Sequence, residues 1–520
     1  MKTNILKTTV MMLVAVSMLL SGCDKGFEEL NTDPIGTASV EANQLLAPAL
    51  VSVLHANMVR NRNFNNELMQ VTVDISDAEG KVFRYDFRRN WSDYLWNAWY
   101  PQATNFKDIY TIASRPGKIN ESYQGISLIT QAWVYSLLTD TYGDVPYSQA
   151  NEGKNGIVEP AYDRQMEIYL DLFSKLEEAN RLLSAGKAIV ASGDPVFKGD
   201  IGKWRKFGNS LYLRLLLRVS GKSEVSADVI AKIKEMIDTN PGNYPIMQSN
   251  DDTAKILWNG TNSSTAVYSS PFMVSVRPVD FRGVAISSFF IDRLRDWADP
   301  RMDSDFGKAS VPRWGIAQGS EGYSGVPSGF GPGMDYTRKA YFYSDDQNDG
   351  YTLQTDPYTG ILMNCAEVNF ILAEAAVRGW IDGSAADYYN KGMFYSINYW
   401  LPTWATGVSD PRFTKYVTDA EIGWDESLPL NATTGSSKLE QIHVQKYYAM
   451  FLVDMQQWFE YRRTGHPILP KGAGLANGGV MPARMAYPII SQSANPTSYK
   501  NAIAAQGPDE ISTQVWWQKP

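Results

Sequence analysis

The sequence predicts a mainly α-helical fold class, and three observations point there. Apolar residues recur at helical spacing through the first half of the chain and again after residue 361. Between those regions the helical period fades and Gly, Pro, Ser, Asn and aromatic residues take over. With 520 residues, the chain is long enough to bury a large core.

Taken in order, Lys2 and Lys7 precede an apolar run from Val10 to Leu20 and the small residues Ser21 and Gly22. That is the order of an export signal, residues 1–22, removed from the mature chain. The run falls short of the about 20 apolar residues that a membrane span needs. Leu20-Ser21-Gly22-Cys23 resembles the lipobox of bacterial lipoproteins, which makes Cys23 the lipidated first residue of the mature chain. Only a nucleophilic thiol can take the diacylglycerol, and acyl burial at roughly 0.8 kcal/mol per CH₂ makes a multi-chain anchor lasting. Residues 23–40, with Asn31-Thr32-Asp33-Pro34 and Gly36, read as a flexible tether. Cys365 then has no intramolecular partner, so the exported domain stands on its core without a disulfide of its own. The net charge of -8 argues against a nucleic-acid partner.

Five apolar stripes define the scaffold. Ile126, Ile129, Trp133, Leu137 and Leu138 form one, closed by Gly143 and Pro146. Ile168, Tyr169, Leu172, Phe173 and Leu176 follow Asp163, which suits an N-cap, and Trp204, Phe207, Leu211, Leu215 and Val219 continue the pattern. Val368, Ile371, Leu372, Ala375 and Ala376 make the third region, and Tyr447, Phe451, Met455, Trp458 and Tyr461 a further helix. Such amphipathic helices must pack pairwise to bury their stripes, in the manner of TPR repeats. The helical scaffold falls mainly in 41–240 and 361–470, and the loop-rich, ligand-facing part mainly in 241–360. Trp314, Tyr323, Tyr336, Tyr341 and Phe342 argue that those loops are ordered.

With 15 Trp and 29 Tyr, the chain has the side chains that stack on sugar rings. The candidate ligand-binding residues are Trp91, Tyr94, Trp258, Trp314 and Tyr323, flanked by polar residues or Gly, with Arg282 as a bidentate donor to hydroxyls or an acidic sugar. Trp96 and Trp99 read as the inward face of a helix. Glu367 and Glu374 lie two helical turns apart, about 10.5 Å between α-carbons, beyond the about 5 to 9.5 Å of a glycosidase carboxylate pair. They read as ion-pair partners of Arg214, Arg218, Arg462 or Arg463. His55, His443 and His466 lack metal-ligand spacing, so no metal is expected. The loop with Asp345, Asp349 and Gly350 departs from a calcium loop at Gln347 and Asp356 and reads as solvated. No Gly-rich phosphate loop or serine elbow is present, so no cofactor is expected.

Six stretches together resemble the SusD/RagB family of nutrient-binding outer-membrane lipoproteins: residues 137–150, 160–172, 199–218, 366–380, 442–467 and 485–499. One departure is Ser491, where these proteins often carry a carboxylate. The resemblance implies a single large domain (41–520) with four TPR-like helix pairs supporting a variable half. It also implies a binder that performs no chemistry and captures oligosaccharide, or in some members peptide. Its partner would be a SusC-like TonB-dependent transporter at the outer membrane. Two other functions compatible with the chain are a surface glycoside hydrolase and a purely structural subunit.

Overall fold

In the computed structural model, the chain is described over residues 40–76, 80–260 and 268–519. The export signal, Cys23 and the tether up to residue 39 lie outside the described residues.

The first run of helices is α1 (Ala42–Arg60), α2 (Trp91–Ala113), α3 (Glu121–Tyr142), α4 (Gln165–Ala185), α5 (Ile201–Val219) and α6 (Ser226–Lys234). Each of the first five packs on the next one in sequence. The predicted stripes of α3, α4 and α5 are all buried. Helix α3 goes further: every residue from Ser122 to Tyr142 is buried, because α2 and α4 cover opposite sides of it. Asn120 caps it by accepting from the Tyr123 N–H at 3.1 Å, and Gly143 ends it at φ 85. Gly208 on α5 is a close-approach position, since a Cβ there would lie 2.6 Å from the Ile129 side chain on α3.

The N-cap of α4 is a correction. Arg164 occupies that position, while Asp163 sits in a short strand and accepts from the Tyr147 and Ser148 N–H groups, both at 2.9 Å. The Tyr-Gly-Asp-Val-Pro-Tyr turn supplies unsatisfied N–H groups that outcompete the helix end for this carboxylate.

The second run comprises α8 (Cys365–Val377), α9 (Ala385–Trp400), α10 (Pro411–Asp419), α11 (Lys438–Ala449) and α12 (Gln456–Thr464), followed by α13 (Ile489–Ala494) and α14 (Pro496–Gln506). Helix α8 pairs with α9, α11 packs on both, and α8 also meets α5. The stripe from Tyr447 to Tyr461 belongs to two helices and not one. The chain turns between α11 and α12, with Leu452 at φ 69 and Asp454 at φ 28. The Asp454 carbonyl is held at 2.6 Å by the Asn61 amide.

Between the two runs lies a part built from short strands and ordered loops, with α7 (Ser288–Asp296) as the one helix of two turns or more among its described residues. Strand β1 (Thr72–Val73) pairs antiparallel with β5 (Ala285–Ile286), and β2 (Val145–Pro146) with β3 (Tyr162–Asp163). Likewise β4 (Ala254–Ile256) pairs with β8 (Gly360–Met363), and β6 (Ile316–Ala317) with β7 (Tyr341–Phe342). This part shares its core with the helices: Trp314 stacks on Phe290 at 5.8 Å and tilts against Phe451 at 5.1 Å. Ala42–Pro520 form one compact unit.

Charge is paired inside the core. Arg214 on α5 grips Glu367 on α8 through two 2.7 Å hydrogen bonds. Arg463 on α12 bridges Glu374 on α8 (2.8 and 2.6 Å) and Glu460 (2.8 Å). Glu460 also meets Lys446 and Arg218, at 2.7 and 2.8 Å. Of the expected arginines, Arg214 pairs with Glu367 and Arg463 with Glu374, while Arg218 turns to Asp140 and Glu460 and Arg378 adds a contact to Glu374 at 3.0 Å. Cys365 is fully buried, and burial pushes its thiol far above the ordinary value.

Removing one member of a buried charge network strands the others. Arg463→Met should lower the unfolding free energy in urea by at least about 3 kcal/mol. Arg181→Ala, which removes an exposed pair with Glu178, should leave it nearly unchanged.

Glu67, in the turn that follows α1, is buried and accepts from the Phe83 N–H at 3.3 Å. Burial, reinforced by the Asp74 charge, pushes its carboxyl from 4.5 up to about 8. The folded chain therefore holds a proton that the unfolded chain has released, so this group makes stability fall as pH rises from about 4.5 to about 8, by about 1.4 kcal/mol per pH unit. Above about 8 the loss levels off. Glu67→Gln should remove this slope, which urea titrations at several pH values would detect.

Candidate functional site

The β6–β7 hairpin alternates its side chains as a strand must. Phe342 points inward and stacks on Phe451 at 6.0 Å, while Tyr341 and Tyr343 on either side are half-buried. Their rings lie 5.9 Å apart at 62°. Tyr323 is also half-buried, near enough to Tyr343 for the two phenols to influence each other, and Gln318 hydrogen-bonds its phenol. Its loop is braced by the Gly319–Gly322 bridge and by Arg295 on α7, whose guanidinium donates to the Tyr323 carbonyl at 3.0 Å. Burial raises the phenols of Tyr323 and Tyr343 above their ordinary values, so both stay neutral hydrogen-bonding groups at neutral pH.

Arginines frame the rings. The Arg338 guanidinium carbon lies 3.8 Å from the Tyr341 ring centroid, and the same group donates to the Arg282 carbonyl. Arg338 has no ion pair with a carboxylate among the described residues. Arg282 donates to Ser344 Oγ at 3.1 Å and to both oxygens of Asp346 at 2.8 and 2.9 Å. The Ser344 hydroxyl and Arg282 hold the Asp346 carboxyl below its ordinary value. The result is a set of fixed, partly exposed ring faces beside guanidinium donors and carboxylate acceptors. Such an array suits a flat ligand with apolar faces and a polar rim.

Of the sequence-predicted residues, Tyr323 and Arg282 fall in this array. Trp314 and Trp258 do not, and both are corrections. Trp314 is 0% exposed, enclosed by Phe290, Phe451, Trp400 and the Arg301 guanidinium 4.4 Å from its ring. Trp258 is 3% exposed and fits beneath Gly360, where a Cβ would come within 2.7 Å of its Nε1. Their polar and Gly neighbours mark tight turns around a buried indole, not a surface.

Trp91 and Tyr94 are half-buried on α2, which begins at Trp91 itself. Arg60 lies over both rings, 4.6 Å from Trp91 and 4.3 Å from Tyr94, and Phe64 packs 6.0 Å from Trp91. A guanidinium thus covers one face of each ring, as Arg338 covers one face of Tyr341. Trp99 is fully buried as expected, whereas Trp96 is only half-buried. Tyr343 and Arg338 were not singled out from the sequence. The signal was present in Ala340-Tyr341-Phe342-Tyr343-Ser344, an alternation that sends Tyr341 and Tyr343 to one face.

Asp356, expected in a solvated loop, is buried and paired with Arg313. Among the described residues, Glu374, His443 and Glu460 bring one ligand atom each within 4.8 Å of one another. Arg463, Lys446 and Arg218 already neutralise those carboxylates, so a cation would add repulsion there.

Residues 34–488 match the SusD-like family described as "Starch-binding associating with outer membrane". Solved structures agree over nearly the whole chain. A chitin-binding protein is 26% identical, with 92% of this chain and 99% of that chain covered at TM-score 0.70. A SusD homologue from Bacteroides uniformis is 25% identical, with 93% and 100% covered at TM-score 0.72. A chitin-binding SusD homologue from Flavobacterium johnsoniae is 22% identical, with 92% and 98% covered at TM-score 0.70, and shows the likeness of fold. No curated protein sequence matches the chain.

Proposed function

The chain belongs to the SusD-like family, and on that premise we propose that it captures oligosaccharide at the cell surface and delivers it to a SusC-like TonB-dependent transporter in the outer membrane. The observation that carries this reading is the Tyr323, Tyr341 and Tyr343 array with Arg338 and Arg282 around it. Sugar rings lie on the tyrosine faces, and the guanidiniums and Asp346 take the hydroxyls. The family's description and the chitin-binding solved structure at 26% identity support glycan as the cargo. Capture must be reversible for delivery, so affinity falls in the range of about 1 μM to 1 mM. A binding role without catalysis fits the carboxylates most suggestive of hydrolysis, because Glu367 and Glu374 are both neutralised by arginine.

Cys23 is the proposed lipid anchor. No helix among the described residues is long and apolar enough to cross a membrane, so membrane association rests on the acylated thiol.

Two results test this reading. Calorimetry with maltoheptaose and chitohexaose should give binding that weakens at least about tenfold in a Tyr323→Ala, Tyr341→Ala, Tyr343→Ala variant. Unchanged affinity would move the site, and failure of the parent chain to bind any glycan while binding peptides would replace the cargo. Radiolabelled palmitate should enter the expressed protein and be lost in Cys23→Ala, which should leave the membrane fraction.

A further inference from the structure

A cavity of about 460 Å³ opens where the end of α7 meets α9, α11 and the segment around 421–436. Its size falls within the about 300–1,000 Å³ of small-molecule sites. Tyr389 is part of its lining: 1% exposed, it donates its O–H to the Ile422 carbonyl at 2.8 Å and packs edge-on to Phe370 at 6.3 Å. That bond fixes the backbone beside Glu421.

Three groups in the walls keep unused capacity. Trp297 is half-buried and packs edge-to-face on Tyr448 at 5.5 Å, and its indole N–H makes no hydrogen bond among the described residues. Arg293 is pinned by the Phe289 ring, 4.1 Å away, and by the Phe289 carbonyl at 3.2 Å, yet forms no ion pair among the described residues. Glu421 is exposed, also without an ion pair there, and is held at φ 54, a left-handed conformation that costs a non-glycine residue energy. An indole, a free guanidinium and a free carboxylate therefore line one cavity, beside Glu440, which His466 and the Ile468 N–H already hold. A neutral ring with one apolar face and adjacent hydroxyls satisfies all three, whereas an acidic or basic sugar would leave one charge opposed.

We propose that this cavity is a second saccharide site, which takes a neutral sugar unit with Trp297 along its apolar face and Arg293 and Glu421 on its hydroxyls. The proposal rests on the glycan-capture reading above. Both sites hang from α7, since Arg293 lines the cavity while Arg295 braces Tyr323. Two weak sites on one rigid element raise the retention of a long glycan above that of either site alone.

The test uses the full chain in detergent, titrated calorimetrically with chitohexaose and maltoheptaose. For whichever sugar binds, the variant lacking the three platform tyrosines should retain one weak site per chain. Adding Trp297→Ala or Glu421→Gln to it should abolish that site, and either change alone should weaken binding of the parent chain at least about fivefold. Glu421→Gln alters no buried contact, so it remains informative if Trp297→Ala unfolds. Parent binding that ignores both substitutions overturns this proposal and leaves glycan capture standing. Absence of all glycan binding overturns both. A triglycine peptide that binds the parent chain and is lost in Arg293→Gln and Glu421→Gln, with no sugar competing, would assign the cavity to peptide termini and overturn the saccharide assignment.

Discussion

A guanidinium buried without a partner costs several kcal/mol, so wherever Arg214, Arg218 and Arg463 enter the core a carboxylate must meet them. Those carboxylates arrive from Asp140 on α3, Glu367 and Glu374 on α8, and Glu460 on α12. The pairing therefore ties the early helices to the late ones across hundreds of residues of sequence. Apolar stripes alone would tolerate sliding of one helix along another, whereas a bidentate pair such as Arg214–Glu367 accepts a single register. The scaffold's geometry, and with it the position of everything mounted on it, follows from that constraint.

What is mounted on it is a part poor in regular structure. Its strands are two to four residues long, too short to stand as sheets. They hold their shape because side chains such as Trp314, Phe290 and Phe342 are anchored in the helical core through Phe451. The loops are rigid for the same reason that a helix surface is rigid: their inner faces belong to the core.

The helical half was legible because burial there follows a period that the letters display. Ile168 to Leu176 and Trp204 to Val219 are buried as their spacing requires. The break between α11 and α12 was not legible, because the buried residues keep their helical spacing across a turn stabilised by Asn61, nearly four hundred positions away. Asp163 was misread for a related reason, since its partners come from a preceding turn and not from the following helix. In the loop-rich half, neighbours in sequence say little about exposure. Trp314 and Trp258 have polar or small neighbours and are buried, while Tyr323 has similar neighbours and is half-exposed. What separates them is contact with distant segments, which only the folded chain supplies. Tyr341 and Tyr343 carried a local signal that went unused, because a strand alternation can be read from neighbouring residues.

That alternation has an evolutionary consequence. Phe342 faces the core while its two neighbours are half-buried beside it, so the residue that anchors this segment and the residues that shape its outer face are different side chains. Exchange at 341 or 343 alters the outer face without changing the volume packed against Phe451. A lineage carrying this segment can therefore vary its outer face by single substitutions while the interior stays as it is.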